Sequence, residues 1–130
     1  MSTLLDQLNA SLDATSLIIG DAISDKYFAD WSGADPWPPA ALLKPRTTDE
    51  LSTIMALCHK HNQPVVVQGG LTGLAGGATP KAGEFAISLE RMSAIEEIDT
   101  TAMTLTAHAG TPLQLLQEAA AEHDLFLPLD

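Results

Sequence analysis

The stretch of this 130-residue chain best suited to chemistry is a glycine loop. Residues 69–80 read GGLTGLAGGATP, with five glycines in twelve positions, directly after the run Pro64-Val-Val-Val-Gln68. Glycine accepts positive φ and lets the backbone approach a ligand closely. Successive main-chain N–H groups in such a loop can converge into a concave anion site, and Thr72 adds a hydroxyl donor. A phosphate or pyrophosphate is the guest that suits this chemistry. A plain glycine-rich surface loop is the alternative. The loop itself carries no basic residue, and Lys60 and Lys81 are the nearest in sequence.

Two familiar phosphate motifs are excluded. A P-loop needs G-x-x-x-x-G-K-[ST], and no Lys-Ser/Thr pair follows a glycine here. The spacing Gly70-x-x-Gly73-x-x-Gly76 is not G-x-G-x-x-G, and Ala78-Thr-Pro80 does not open the helix a dinucleotide fold requires. Any phosphate is therefore held by amides along an extended path.

The other polar residues point to little chemistry. His59 and His61 stand two apart near a helix end and do not share a face, so a two-His metal motif is disfavoured. His108 on an alternating strand reads as solvent-facing, and His123 sits near a helix C-terminus. Glu96, Glu97 and Asp99 read as a solvated strand edge. Arg91 beside Glu90 suggests an ion pair anchoring a turn. Cys58 falls on an apolar helix face as a buried thiol. No nucleophile–base pair or carboxylate pair stands out, so no catalytic residue and no metal ligand is assigned.

The elements that position the loop follow from periodicity. Leu5, Leu8 and Leu12 with Thr3-x-x-Asp6 predict a capped helix over 3–14. Residues 17–20 are a short apolar run. Residues 21–39 form an irregular connection broken by Pro36, Pro38 and Pro39, with Trp31 and Trp37 expected to pack it on the core. A short strand over 41–44 leads to Thr47-x-x-Glu50 and a helix over 48–61. The β-branched run at 64–68 predicts a strand covered on both faces, as in a parallel sheet. Strand, helix, strand then makes a βαβ unit. Further strands are expected at 85–89, 95–99 and 103–109, the last with Met103, Leu105, Ala107 and Ala109 on one face. Thr111 as N-cap, Pro112 and Gln114 open a helix running to about 122. Residues 124–130 read as a strand running into a turn. A chain stopping on that apolar stretch is expected to be the front part of a longer protein.

Composition sets the outer bounds. Apolar residues at 45% and charged residues at 18% indicate a folded domain. The net charge of −11 disfavours a surface that attracts nucleic acid or anionic lipid. A single cysteine excludes an intramolecular disulfide and a multi-cysteine zinc site. No apolar run approaches the ~20 residues of a transmembrane helix. The N-terminus has no basic signal-peptide region, so a cytoplasmic, reducing location is expected.

Several motifs occur together and in order: PVVVQGGLTGLAGGATP over 64–80, AISLERM over 86–92, Ile95-x-x-Ile-Asp99, Ala109-Gly110 and Pro128-Leu-Asp130. Over residues 38–130 they resemble FAD-linked oxidoreductases with the PCMH-type (vanillyl-alcohol oxidase-like) flavin domain. Within that family the likeness is to the 2-hydroxyacid dehydrogenase branch of D-lactate, glycolate and D-2-hydroxyglutarate dehydrogenases. The resemblance implies an α+β fold: a first subdomain with a small parallel sheet and helices, the start of a second, mainly antiparallel one, and FAD between them. Residues 1–37 are then a helix and irregular lead-in, and 38–130 an incomplete FAD-binding domain. The resemblance assigns Gln68, Gly69, Gly70, Thr72, Gly73, Leu74, Gly76 and Gly77 to the phosphates, with Val66 and Val67 nearby and Pro128 and Leu129 along the same cofactor. Some relatives attach flavin through a His in this loop. None is present here, which implies non-covalent FAD. The implied substrate is a small D-2-hydroxy acid, and such families use a quinone, a carrier flavoprotein, a cytochrome or oxygen as electron acceptor. Catalytic groups would lie beyond Asp130, leaving this segment inactive alone. A non-catalytic module binding another phosphate ligand, or a fragment without function, are the alternatives.

Overall fold

The fold was read from a computed structural model, which describes residues 3–130. Thr3 Oγ1 accepts the Asp6 N–H at 3.1 Å, and Asp6 Oδ2 accepts the Thr3 N–H at 3.0 Å. This reciprocal cap starts α1 (Leu4–Ser11), which ends three residues earlier than its leucine spacing predicts because Leu12 is already extended. β1 (Leu17–Ile18) follows, then two single 3₁₀ turns, Gly20–Ala22 and Asp25–Tyr27. β2 (Ala41–Leu43), α2 (Thr48–Lys60), β3 (Val65–Gln68) and β4 (Phe85–Ser88) complete the first unit. β5 (Ile95–Asp99), β6 (Thr104–Ala107) and α3 (Leu113–Glu122) form the second.

The first sheet runs β1-β2-β4-β3, with β2, β4 and β3 mutually parallel and β1 antiparallel at one edge. β5 and β6 make a separate antiparallel pair. This is the mixed α+β arrangement expected, with one correction. The Val run does not form the doubly covered strand. β3 is an edge, and Val67 is half exposed, while β2 and β4 are buried along their whole length.

Alternation divides the core into two layers. Ala41, Leu43, Phe85 and Ile87 face α1 and α2, meeting Leu8, Ile54 and Cys58. Leu42, Val66 and Ala86 face the other way, onto Ile23 and Tyr27 of the lead-in. The irregular segment is thus the second cover of the sheet. It packs through Ile23 and Tyr27, not through the tryptophans: Trp31 is 73% exposed and Trp37 48% exposed.

Three local expectations also change. Thr111 does not cap α3. Its Oγ1 accepts the Ala94 N–H at 3.1 Å and donates at 2.8–3.1 Å to the carbonyls of His108 and Ala94, and the cap position falls to Pro112, which has no side-chain cap bond. Met103 leaves the β6 face because it takes φ 54° in the turn before the strand. Residues 125–130 form no strand. Leu125 N–H bonds back to Ala120 O at 2.9 Å, and Phe126 is 86% exposed.

The two units meet at Gly110, whose N–H donates to Met92 O at 3.0 Å. A Cβ built there would stand 1.7 Å from Leu89 O, closer than any atom pair tolerates. Gly110→Ala should therefore force the junction apart and lower stability by about 3 kcal/mol or more, measured by urea unfolding. Leu8→Ala, which empties a fully buried site between α1 and the sheet, should cost about 2–5 kcal/mol in the same assay.

Candidate functional site

The glycine loop is held at its base and left free along its crest. Gln68, fully buried at the end of β3, donates from Nε2 to Tyr27 O at 2.8 Å and to Ala78 O at 3.0 Å. It thereby ties the two ends of the loop to the lead-in. Asp30, also buried, accepts the Ser32 N–H at 3.0 Å, the Thr79 hydroxyl at 3.2 Å and the Ala78 N–H at 3.4 Å. Hydrogen bonds from Ser32, then from Ala78 and Thr79, outweigh burial and keep its carboxyl below the usual carboxylate range. Trp31 N–H donates to Gly73 O at 3.0 Å, fixing the middle of the loop. Leu71 sits at φ 61°, a conformation that costs a non-glycine residue about 1 kcal/mol, and packs against the Ile23–Tyr27 layer.

Among the described residues, no backbone N–H of residues 69–77 donates a hydrogen bond. Nor does local structure demand every glycine. Gly76 needs its freedom, at φ 80°, but Gly69, Gly70 and Gly77 have ordinary φ, and a Cβ on any of them would meet nothing within 4 Å. Their smallness leaves open space beside unspent amides. Gln68 Oε1 is a further buried acceptor with no partner among the described residues.

A cavity of about 630 Å³ opens against residues 69–72. Its far wall is the 109–113 segment, including the uncapped start of α3, and its floor is Lys26, Tyr27 and Glu90, with Trp31 alongside. Of the predicted residues, the cavity brings together Gly69, Gly70 and Thr72. Gly73 and Gly76 instead face Asp30 and Ser32. Leu74 is 77% exposed, and Gln68 and Val66 are buried behind the loop. Pro128 and Leu129 lie outside the cavity wall, with Leu129 O accepting from Gln117 Nε2 at 2.5 Å.

Sequence reasoning missed the floor and the far wall. Glu90 does not pair with Arg91, which instead donates to Thr15 O, Ser16 Oγ and Lys44 O at 3.2–3.3 Å. Glu90 Oε1 accepts from Lys44 Nζ at 2.8 Å and from the Tyr27 hydroxyl, and Oε2 faces Lys26 Nζ at 3.3 Å. Burial alone would raise its pKa. The hydrogen bonds from Lys44, Tyr27 and Lys26 prevail and bring it down to about 2. Tyr27 and Lys26 had no sequence signal, being single residues in an irregular stretch. Ala109-Gly110 stood out as a motif, but without a role.

The remaining candidates are structural. Cys58 is buried, which pushes its thiol pKa up. His108 Nε2 lies 3.1 Å from Glu96 Oε1 on the surface, and His61 Nε2 lies 3.3 Å from Gln7 Oε1. Among the described residues no group of three or more His, Cys, Asp or Glu is placed to hold a metal, and no helix is long and apolar enough to cross a membrane.

Residues 39–130 match the family described as FAD binding domain. The chain belongs to that family. It is 32% identical over 123 residues to a D-2-hydroxyglutarate dehydrogenase of Xanthomonas citri, covering 95% of this chain and 26% of that protein. It is 36% identical over 101 residues to the mitochondrial D-2-hydroxyglutarate dehydrogenase of Danio rerio, covering 78% and 19%. With the glycolate oxidase subunit GlcD of Bacillus subtilis it shares 36% over 92 residues, covering 71% and 20%. The fold superposes on p-cresol methylhydroxylase with a TM-score of 0.79 at 17% identity, covering 94% of this chain and 24% of that one. Alkyldihydroxyacetonephosphate synthase gives 0.79 at 18% identity, covering 92% and 24%. The domain is thus of the PCMH type and its cofactor is FAD. The chain spans about a fifth to a quarter of the length of these relatives.

The depressed Glu90 pKa carries a pH dependence with a definite sign. A carboxylate whose folded pKa lies below its unfolded one stabilises fully above the unfolded value, near 4.5, and loses that contribution as pH falls towards about 2. Glu90→Gln should therefore flatten the acid limb of stability against pH between those values, read by thermal unfolding across a pH series. An unchanged limb would mean that the cluster is not formed in solution.

Proposed function

We propose that this chain is the flavin-cradling N-terminal part of an FAD-dependent 2-hydroxyacid dehydrogenase, which oxidises a D-2-hydroxy acid by hydride transfer to the flavin. The observation that carries it is the row of unspent amides over 69–77 beside Gly69, Gly70 and Gly77, which local structure does not demand. The D-2-hydroxyglutarate dehydrogenase and glycolate oxidase names of the relatives supply the substrate class.

The residues fit FAD. Gly69, Gly70 and Thr72, with Gly73, Leu74, Gly76 and Gly77 along the same loop, would hold the diphosphate by main-chain N–H groups and the Thr72 hydroxyl. Gln68, Val66 and Val67 act from behind, shaping the strand end from which the loop departs. Pro128 and Leu129 belong to the proposal as contacts along the cofactor's length. Bound FAD supplies a two-electron acceptor. The loop's part is to neutralise the diphosphate without a metal-ligating side chain, using aligned dipoles in place of counter-ions.

The cavity holds no free proton acceptor. Its one carboxylate, Glu90, is fully engaged by two ammonium groups and a phenol. In this reading the base that takes the substrate hydroxyl proton, the substrate-binding groups and the route to the electron acceptor are supplied from outside this cavity, by the rest of the enzyme. Attachment is non-covalent, as the loop has no His. The unpaired Cys58 thiol suits a reducing, cytoplasmic setting.

The test is retention of flavin. The purified chain, incubated with FAD and desalted, should keep near-stoichiometric flavin absorbance that acid releases, and alone it should not oxidise D-lactate, glycolate or D-2-hydroxyglutarate. Replacing Gly69 and Gly70 together by Ala should weaken FAD binding about tenfold or more, while leaving the unfolding midpoint without FAD unchanged. A folded chain indifferent to FAD would overturn the reading.

A further inference from the structure

The cavity beside the glycine loop has one cationic side chain in its wall, Lys26, and one anionic, Glu90. These two belong to a cluster with Lys44 and Tyr27 whose bonds are unequal. Glu90 Oε1 is taken by Lys44 Nζ at 2.8 Å and by the Tyr27 hydroxyl, both on the inner side. Lys44 is only 22% exposed. Lys26 is the loose member, at 3.3 Å from Oε2 and 59% exposed, with its ammonium 4.7 Å from the centroid of the Tyr27 ring. The Glu90 carboxylate thus stays paired and hydrogen-bonded if Lys26 leaves it. Two ammonium groups against one carboxylate give the cluster, Lys44 included though it does not line the cavity, one positive charge in excess, in a chain whose net charge is −11.

Resting on the FAD reading above, we propose that Lys26 is the side-chain cation for the nucleoside diphosphate held by the loop, exchanging Glu90 for a phosphate oxygen when the ligand binds. Three features converge on that partner. The same cavity is lined by residues 69–72 of the glycine loop, whose main-chain N–H groups are unspent. The uncapped start of α3 faces the same space, with no acidic residue in its first turn, so its end favours negative charge. An acidic chain that takes up a dianion also needs local relief from its own field, which amide dipoles supply in part and an ammonium group supplies at longer range. Lys44 and Tyr27 hold Glu90 as a fixed base beneath, so Lys26 has a resting place that is neither lost to solvent nor too tight to leave. The Tyr27 ring supports the aliphatic stem in either position.

The experiment compares the wild-type chain with Lys26→Met, which keeps the stem and removes the charge, and Lys26→Arg, which restores it. Each is titrated with FAD, ADP and riboflavin at about 0.05 M and about 0.5 M salt. Lys26→Met should weaken FAD and ADP about fivefold to tenfold at low salt, leave riboflavin unchanged, and lose most of that difference at high salt. Lys26→Arg should recover most of the affinity. Equal affinity of wild type and Lys26→Met for FAD and ADP at low salt would overturn the proposal while leaving the FAD reading standing. A loss that is the same for riboflavin would also overturn it, since packing and not charge would then be at work. A folded wild type that binds no FAD would overturn the FAD reading itself, and the role of Lys26 with it.

Discussion

A loop rich in glycine tends to collapse onto its own carbonyls or flap in solvent, and what prevents both here is one buried amide side chain. Gln68 Nε2 bridges Tyr27 O and Ala78 O, so the strand end, the loop's return and the lead-in share a single donor group. Asp30 completes the hold from the other side through Ser32, Ala78 and Thr79. The buried Gln68 amide N–H groups and the Asp30 carboxylate are satisfied by carbonyl and charge-assisted bonds, with Gln68 Oε1 the one buried acceptor left without a partner among the described residues, and such a network is directional in a way apolar packing is not. With the loop held at its ends, the amides of residues 69–77 keep their hydrogen-bonding capacity unspent within the described chain.

The electrostatics work at two scales. Over the whole surface the chain repels anions. Around the cavity the balance shifts, through the glycine-loop backbone, the start of α3 and Lys26 in the wall, with Lys44 behind Glu90. Such an arrangement selects a ligand that can enter the cleft and present its charge at close range, and it disfavours extended polyanions that would have to lie across the acidic exterior. Glu90 is the hinge of that local balance. Its carboxylate lets two ammonium groups sit near each other and near the loop without repelling one another apart.

Much of this was legible in the residues before any coordinates. Leucine spacing and capping pairs give α1 and α2, and the Val run followed by glycines marks where a strand hands over to the glycine loop. The motif series over 64–130 carried the family, which the match over 39–130 shows. What was not legible depends on contacts far apart in sequence. Nothing local says that Tyr27 meets Glu90, or that Arg91 turns away from its neighbour to gather three groups on Thr15, Ser16 and Lys44. Thr111 followed by Pro112 has the local chemistry of a helix cap, yet the tertiary bond to Ala94 outcompetes it. Trp31 reads as core by residue type, yet it lines the cavity beside the glycine loop and is largely exposed.

The sheet's second cover comes from residues that precede residue 39, where the match to the family model begins. Ile23 and Tyr27 back Leu42, Val66 and Ala86, and Leu8 fills the opposite side. A modular view that treats the opening segment as dispensable packaging would therefore uncover one face of the sheet and leave the other to α2 alone. Any shortened or transplanted version cut at residue 39 inherits an exposed apolar layer, since the proline-broken thread before it serves as interior.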